Sequence, residues 1–91
     1  MNLNQLIKII ISALEDIKAN DIEILDVTKR ATIFDRMIIA SAVSTRQARA
    51  IANNVNDKVK ESGGMSYGTE GEGSGEWVLV DLGDVLVHIM L

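Results

Sequence analysis

Leu3, Leu6, Ile7, Ile10, Leu14 and Ile17 recur every three or four positions, the spacing that gathers apolar side chains on one helix face. Asn2, with Gln5 three residues on, resembles an N-cap arrangement, weaker than its Ser or Thr form. Asn20-Asp21 ends that helix, since Asn tolerates the left-handed cap conformation. The period then shortens. Ile22 to Val27 reads as a strand and Met37 to Val43 as a second, mostly apolar and central, with Lys29 to Asp35 connecting them. A second helix begins at Ser44, where Ser44-Thr45-Arg46-Gln47 fits a capping box. Ala48, Ile51, Ala52, Val55 and Val59 line its inner face, and Gly63-Gly64 stops it. Met65 to Tyr67 is expected as a short edge strand, and Gly68 to Gly75 as an exposed loop.

The last two apolar runs meet at Gly83-Asp84, a two-residue hairpin signal, because Gly accepts the positive φ that a right-twisted hairpin needs. That turn sets Leu82 opposite Val85, Val80 opposite Val87, and Val78 opposite Ile89, so one side of the ribbon is aliphatic. The alternate positions pair Trp77 with Met90, Leu79 with His88, and Asp81 with Leu86.

The order is helix, two strands, helix, then two or three strands. It predicts an α/β domain: a small mixed β-sheet with packed helices. With 91 residues the chain makes one domain, and 47% hydrophobic residues are ample for a core. The absence of Cys removes disulfides, thiol nucleophiles and zinc knuckles. Thirteen acidic residues against 9 Lys and Arg give a net charge of −4, the wrong sign for gripping phosphate backbones and the right one for a basic protein. Direct RNA contact is accordingly minor. The N-terminus lacks a basic leader, and no apolar run reaches membrane-span length, so the expectation is a soluble cytoplasmic protein without membrane contact.

Candidate chemistry is sparse. Asp81 and Asp84 sit three apart across the turn and point in different directions; Asp84 is expected to bond local turn backbone. A nucleotidyltransferase site needs two carboxylates at alternate strand positions after an upstream Gly-Ser. Gly73-Ser74 is present, but no Asp-x-Asp follows, so no metal or cofactor is expected. His88, the single histidine, has Asp81 as a diagonal neighbour; a His–Asp hydrogen bond is the expectation, because no Ser sits in a nucleophile elbow. The loop from Gly71 to Gly75 is acidic and has no Lys, which makes it a mobile surface loop and not a phosphate cradle. Arg46, Arg49, Lys58 and Lys60 read as a solvated helix face, without the aromatics of a nucleic-acid patch. Trp77, Leu79 and Met90 beside Asp81 and His88 are either a second core under a helix or a protein-docking surface. The docking surface is preferred, because the opposite aliphatic face offers the helices the drier contact and Trp with Met suits an interface.

These residues also carry a resemblance. Glu76-Trp-Val-Leu-Val-Asp-Leu-Gly-Asp-Val-Leu-Val-His88 closely resembles the signature of the ribosomal silencing factor family, also called the Iojap or RsfS family. Asp21-Ile22, Leu25-Asp26-Val27, Asp35 to Ile39, Ser44 to Ala52, and Glu70-Gly71 extend the likeness over nearly the whole chain. The resemblance implies a nucleotidyltransferase-like fold lacking catalytic carboxylates, and a non-enzymatic role. It implies binding to the fourteenth protein of the large ribosomal subunit, obstruction of small-subunit joining, and lower translation when nutrients are short. Carried onto this sequence, Trp77, Asp81, His88 and Met90 become docking residues. Two departures stand out: the family's Arg-x-x-Tyr-x-Leu-Glu-x-Leu-Trp-like tail does not follow Leu91, and Ser41-Ala42-Val43-Ser44 replaces a Gly-containing turn. The alternative is a nucleotide-binding or nucleotidyltransferase-type enzyme on the same fold. A third reading is a homodimer paired through an aliphatic edge at Val85 to Leu91.

Overall fold

The computed structural model describes residues 1–28 and 34–91, so most of the connector expected over Lys29 to Asp35 lies outside the described residues. Among the described residues the chain forms α1 (Leu3–Asp16), β1 (Asn20–Asp26), β2 (Arg36–Ser41), α2 (Thr45–Glu61), β3 (Gly68–Glu70), β4 (Trp77–Asp81) and β5 (Val85–Met90). The strands make one mixed sheet in the order β1-β2-β5-β4-β3. Only β2 and β5 run parallel; the other neighbours are antiparallel. This is the expected α/β class.

Asn2 and Gln5 complete a full capping box, each side chain bonding the other's backbone amide at 2.8 and 3.0 Å. The end of α1 departs from expectation. The helix stops at Asp16, and Lys18, not Asn20, takes the left-handed position at φ 59°. Lys18 N donates to the Glu15 carbonyl and Ala19 N to the Leu14 carbonyl, both at 3.0 Å, which is a Schellman closure. Asp21 is also left-handed, at φ 49°, where the β1–β2 register slips between Asn20 and Glu23. The helix end and the strand bulge thus each use a left-handed residue, Lys18 and Asp21 in turn.

The second capping box is half formed. Ser44 Oγ accepts from Gln47 N at 3.0 Å, but Gln47 Oε1 accepts from Val43 N instead of Ser44 N. Gln47 Nε2 then donates to the Ile17 carbonyl at 3.0 Å, tying the start of α2 to the end of α1. Downstream, Ala48, Ile51, Ala52, Val55 and Val59 are buried, as expected.

Both helices cover one sheet face. Leu6, Ile10 and Leu14 of α1, with the buried stripe of α2, meet Ile38, Ala40, Val78, Val80, Val85, Val87 and Ile89 in a single dry layer. The hairpin register matches the expected one pair for pair, from Trp77 with Met90 to Asp81 with Leu86. Gly83 takes φ +87° and is the only turn residue in the left-handed region, the pattern of a type II′ hairpin.

Two expectations fail at the edges. The short edge strand is Gly68–Glu70, not Met65 to Tyr67, because the pairing begins only after Tyr67 N donates to the Asp81 carbonyl at 2.8 Å. Met65 and Tyr67 stay exposed, and Gly68 to Glu70 are strand instead of loop. The edge reading of Val85 to Leu91 fails as well: β5 lies between β2 and β4, so both its backbone sides are paired. The free edges are β1 and β3.

Candidate docking face

Strand pleating sends every second residue to the side of the sheet away from the helices. The register gathers those residues into rows. Glu23, Ile39, His88, Leu79 and Glu70 form the middle row, read from β1 across to β3. Leu25, Met37, Leu86, Asp81 and Gly68 form the row on one side of it, and Ser41, Met90 and Trp77 the row on the other. The face is therefore apolar along its middle strands and acidic at both ends of its central row. Neither helix crosses it. Trp77 is 57% exposed and Leu25 40%, while Leu79, Asp81, Leu86, His88 and Met90 are half-buried by one another.

All five residues expected at the site, Trp77, Leu79, Asp81, His88 and Met90, lie on this one face. Their pairing differs from expectation. His88 does not bond Asp81: its Nδ1 accepts from Trp77 Nε1 at 3.0 Å, with the ring centroids 5.6 Å apart and the planes 41° from parallel. Asp81 Oδ1 instead accepts from Gly83 N at 2.9 Å. Asp81, and not Asp84, is thus the carboxylate that bonds the turn backbone, because its strand-end position points back over the turn. Asp84 contributes its carbonyl, which accepts from Asp35 N at 2.7 Å and Arg36 N at 3.1 Å and ties the turn to β2.

The second ring nitrogen of His88, Nε2, is closed off from solvent and has no partner among the described residues. Partial burial disfavours the imidazolium and lowers the His88 pKa below its ordinary value. Beside the indole, Glu70, Gly71, Trp77 and Leu79 outline a shallow depression of about 270 Å³. Its wall is built by a close approach that only glycine allows: a Cβ on Gly71 would stand 2.0 Å from the Trp77 carbonyl oxygen. Gly75 N donates to the Gly71 carbonyl at 2.9 Å, and Gly75 is buried. The two ends of the glycine segment are therefore tied to each other, and Gly71 to Ser74 are exposed, as expected of a surface loop.

Sequence reasoning missed Leu25, Met37 and Ile39, which carry the apolar surface across β2 to β1. The alternation of Met37 and Ile39 with Ile38 and Ala40 was visible, but the pairing of β2 with β5 was not. The basic residues of α2 stand away from the face: Arg49 Nη1 donates to the Glu72 carbonyl at 3.4 Å, and Lys58 pairs with Glu61 at 3.9 Å. A larger groove, about 520 Å³, runs between the ends of the helices on the opposite side of the molecule, past Lys8, Ile9 and Ser62. It gathers no acid–base pair. Among the described residues no three His, Asp or Glu converge on a metal position, and no helix is long and apolar enough to cross a membrane. What the face can do chemically is bind: one exposed aromatic, flanking aliphatics and an acidic rim suit a protein surface of opposite charge.

Comparison with known proteins identifies relatives of the whole chain. A family model described as "Ribosomal silencing factor during starvation" matches residues 1–91. A Chromobacterium violaceum protein named ribosomal silencing factor RsfS is 53% identical over 91 residues, all of this chain and 75% of that protein. Its Haemophilus influenzae namesake is 38% identical over 85 residues, 93% of this chain and 83% of the relative. A crystal structure of a C. violaceum protein, 53% identical, superposes with a TM-score of 0.97 over 100% of this chain and 76% of its own.

Proposed function

The chain belongs to the ribosomal silencing factor family, and on that premise we propose that it is a translational repressor acting in the cytoplasm. It binds the large ribosomal subunit through that subunit's fourteenth protein and sterically keeps the small subunit from joining. The observation that carries this reading is the open face: Trp77 stands 57% exposed on an apolar sheet surface that the protein's own helices leave bare. Exposed aromatic anchors of this kind supply most of the energy at protein interfaces, and the acidic rim of Glu23, Glu70 and Asp81 suits a basic partner.

The mechanism is non-enzymatic, since occupying a joining surface requires affinity and bulk alone. On β4 the face positions alternate Trp77, Leu79 and Asp81, so this strand offers a single carboxylate where a nucleotidyltransferase needs a pair. That supports reading the sheet as a nucleotidyltransferase-like fold without catalytic carboxylates.

The test is co-sedimentation with purified large subunits, followed by addition of small subunits. Stable binding that prevents assembled ribosomes from forming is the expected result. Trp77→Ala should weaken binding by about 2 kcal/mol or more, near thirtyfold, with little change in melting temperature. Undiminished affinity in that folded variant would remove Trp77 from the interface. A well-folded chain that leaves subunit joining untouched refutes the proposal.

A further inference from the structure

The contact between the only tryptophan and the only histidine of the chain has a direction. An indole N–H donates and never accepts. His88 Nδ1, 3.0 Å from Trp77 Nε1, is therefore the bare nitrogen of a neutral imidazole, and the ring proton sits on Nε2. Nε2 is enclosed and already unpartnered. A second proton has no place at Nδ1 while the indole points there, because two N–H groups would face each other at 3.0 Å. Protonation and the Trp77 contact exclude one another.

The surroundings fix what an imidazolium would find. On β5 the same-face neighbours of His88 are Leu86 and Met90. On β2 they are Ile39 opposite, with Met37 and Ser41 diagonal; on β4 they are Leu79 opposite, with Trp77 and Asp81 diagonal. Beyond these, Glu23 lies across Ile39 and Glu70 across Leu79. The helices pack on the other side of the sheet. Among the described residues every charged neighbour on this face is thus acidic, and Asp81 is the nearest in register. Its Oδ1 is bonded to Gly83 N, and its second oxygen makes no bond to the described residues. A protonated ring that turns away from the indole has a carboxylate to turn toward.

We propose that His88 is the positioning residue for Trp77: its neutral imidazole, accepting at Nδ1, holds the indole in the orientation that docks, and one proton at Nδ1 releases it. The neutral ring removes rotamer freedom that binding must otherwise remove, so docking weakens in acid. The proposal rests on the docking reading in one respect, that Trp77 touches the partner. The bond and its sensitivity to protons belong to the free chain.

One Trp and one His make the free chain its own reporter. The first measurement follows the indole Nε1–H and the His88 ring nitrogens by NMR from about pH 8 to about pH 4, running below the ordinary imidazole range because burial lowers the His88 pKa. The expected result is a neutral ring protonated at Nε2, and an indole signal that shifts with the same midpoint as the imidazole. In His88→Gln, whose amide oxygen accepts a hydrogen bond and does not titrate, the indole signal should stay flat. The second measurement is affinity for large subunits at about pH 7.5 and at a pH below the His88 midpoint that NMR gives, since burial holds that midpoint under the ordinary imidazole value. Wild type should weaken by roughly three- to tenfold on acidification, the cost of fixing one freed side chain. His88→Gln, whatever its absolute affinity, should show a ratio near one. His88→Phe, which accepts no hydrogen bond, should show that flat ratio too, with a mobile indole.

An Nδ1–H tautomer, or an indole signal that ignores the His88 titration, overturns the proposal without reference to ribosomes. An acid loss of affinity equal in wild type and His88→Gln overturns the gating. If wild type binds no subunits at either pH while the NMR titration behaves as expected, the docking reading fails, and the gating fails with it. The bond itself then stands.

Discussion

Two glycines in one loop should answer alanine in opposite ways. Gly71 has φ +83°, a conformation that costs an L-residue about 1–2 kcal/mol. Its added Cβ would also stand 2.0 Å from the Trp77 carbonyl oxygen and 3.2 Å from the carbonyl carbon. Relaxed contacts between heavy atoms need roughly 3.5 Å, so the overlap exceeds an ångström. The Cβ is fixed by its own backbone and its neighbour is a backbone carbonyl, so no rotamer relieves the clash. Forcing the loop off β4 adds about 1–3 kcal/mol, the usual cost of overpacking. The sum has a ceiling, because the loop and the three-residue β3 can detach locally and leave the rest folded. A loss of about 3 kcal/mol corresponds to a melting temperature lower by roughly 10–25 °C in a domain of this size. At Gly73, two residues on, a Cβ meets no atom within 4 Å, and φ is not in the left-handed region. Gly73→Ala should therefore melt level with wild type or about 1 kcal/mol better, through a less flexible unfolded chain. Thermal melts by circular dichroism decide it. Gly71→Ala melting with wild type, or Gly73→Ala falling as far, would refute the argument that the loop is pinned to Trp77.

The C-terminal residue of the first Schellman closure offers a gain. Lys18 is exposed at φ 59°, so Lys18→Gly should raise the melting temperature by roughly 2–6 °C, and a lower one would show that the lysine side chain stabilises the helix end. Asp26 offers a pH effect. Bonds from the Thr28 hydroxyl at 2.7 Å and the Thr28 amide at 3.1 Å, with Arg36 at 3.2 Å, hold its carboxyl below the ordinary 3.8. A depressed carboxylate stabilises above its unfolded pKa, and that contribution is lost as pH falls through the folded value. Asp26→Asn should therefore be the less stable protein at about pH 7, with the gap closing by about pH 2 and shrinking in high salt. Urea midpoints that stay equally far apart at both pH values would assign the effect to packing.

Local periodicity carried most of the fold. The α2 stripe from Ala48 to Val59 and every pair of the terminal hairpin follow from spacing alone, because side-chain direction is a local property of helix and strand. What failed was set by tertiary geometry. Gly63 announces the end of α2 in the left-handed position, whereas Lys18 makes the same closure without any such signal. Gln47 abandons the reciprocal bond of its capping box to reach the Ile17 carbonyl, a partner thirty positions away in sequence. The site was legible in composition but not in extent. Trp77, Leu79, Asp81, His88 and Met90 were found by alternation along one hairpin. Met37 and Ile39 joined them only through the parallel pairing of β2 with β5, which no local pattern encodes. The partner of His88 was misjudged for a related reason: register places Asp81 and Trp77 on equivalent diagonals, and the turn amide of Gly83 had claimed the carboxylate.

The bare face raises a last question of economy in folding. Ile39 points away from both helices and is half-buried, with Glu23 and His88 beside it in its row. Thr is β-branched like Ile and fits a strand equally well. If the face serves binding alone, Ile39→Thr removes little from the folded state, because its hydroxyl stays within reach of water. The expected loss of stability is about 0.5–1 kcal/mol, a shift of a few degrees, since the change removes partly wetted methyl groups and opens no sealed cavity. Docking should suffer more. Burying that hydroxyl under a partner without a new hydrogen bond costs about 1–3 kcal/mol, which weakens large-subunit binding by roughly 5- to 150-fold. The ratio of the two effects is the discriminating quantity. A variant that melts far below wild type yet binds normally once folded would make the face a second core, and the uncovered apolar rows would then be explained by folding and not by a partner.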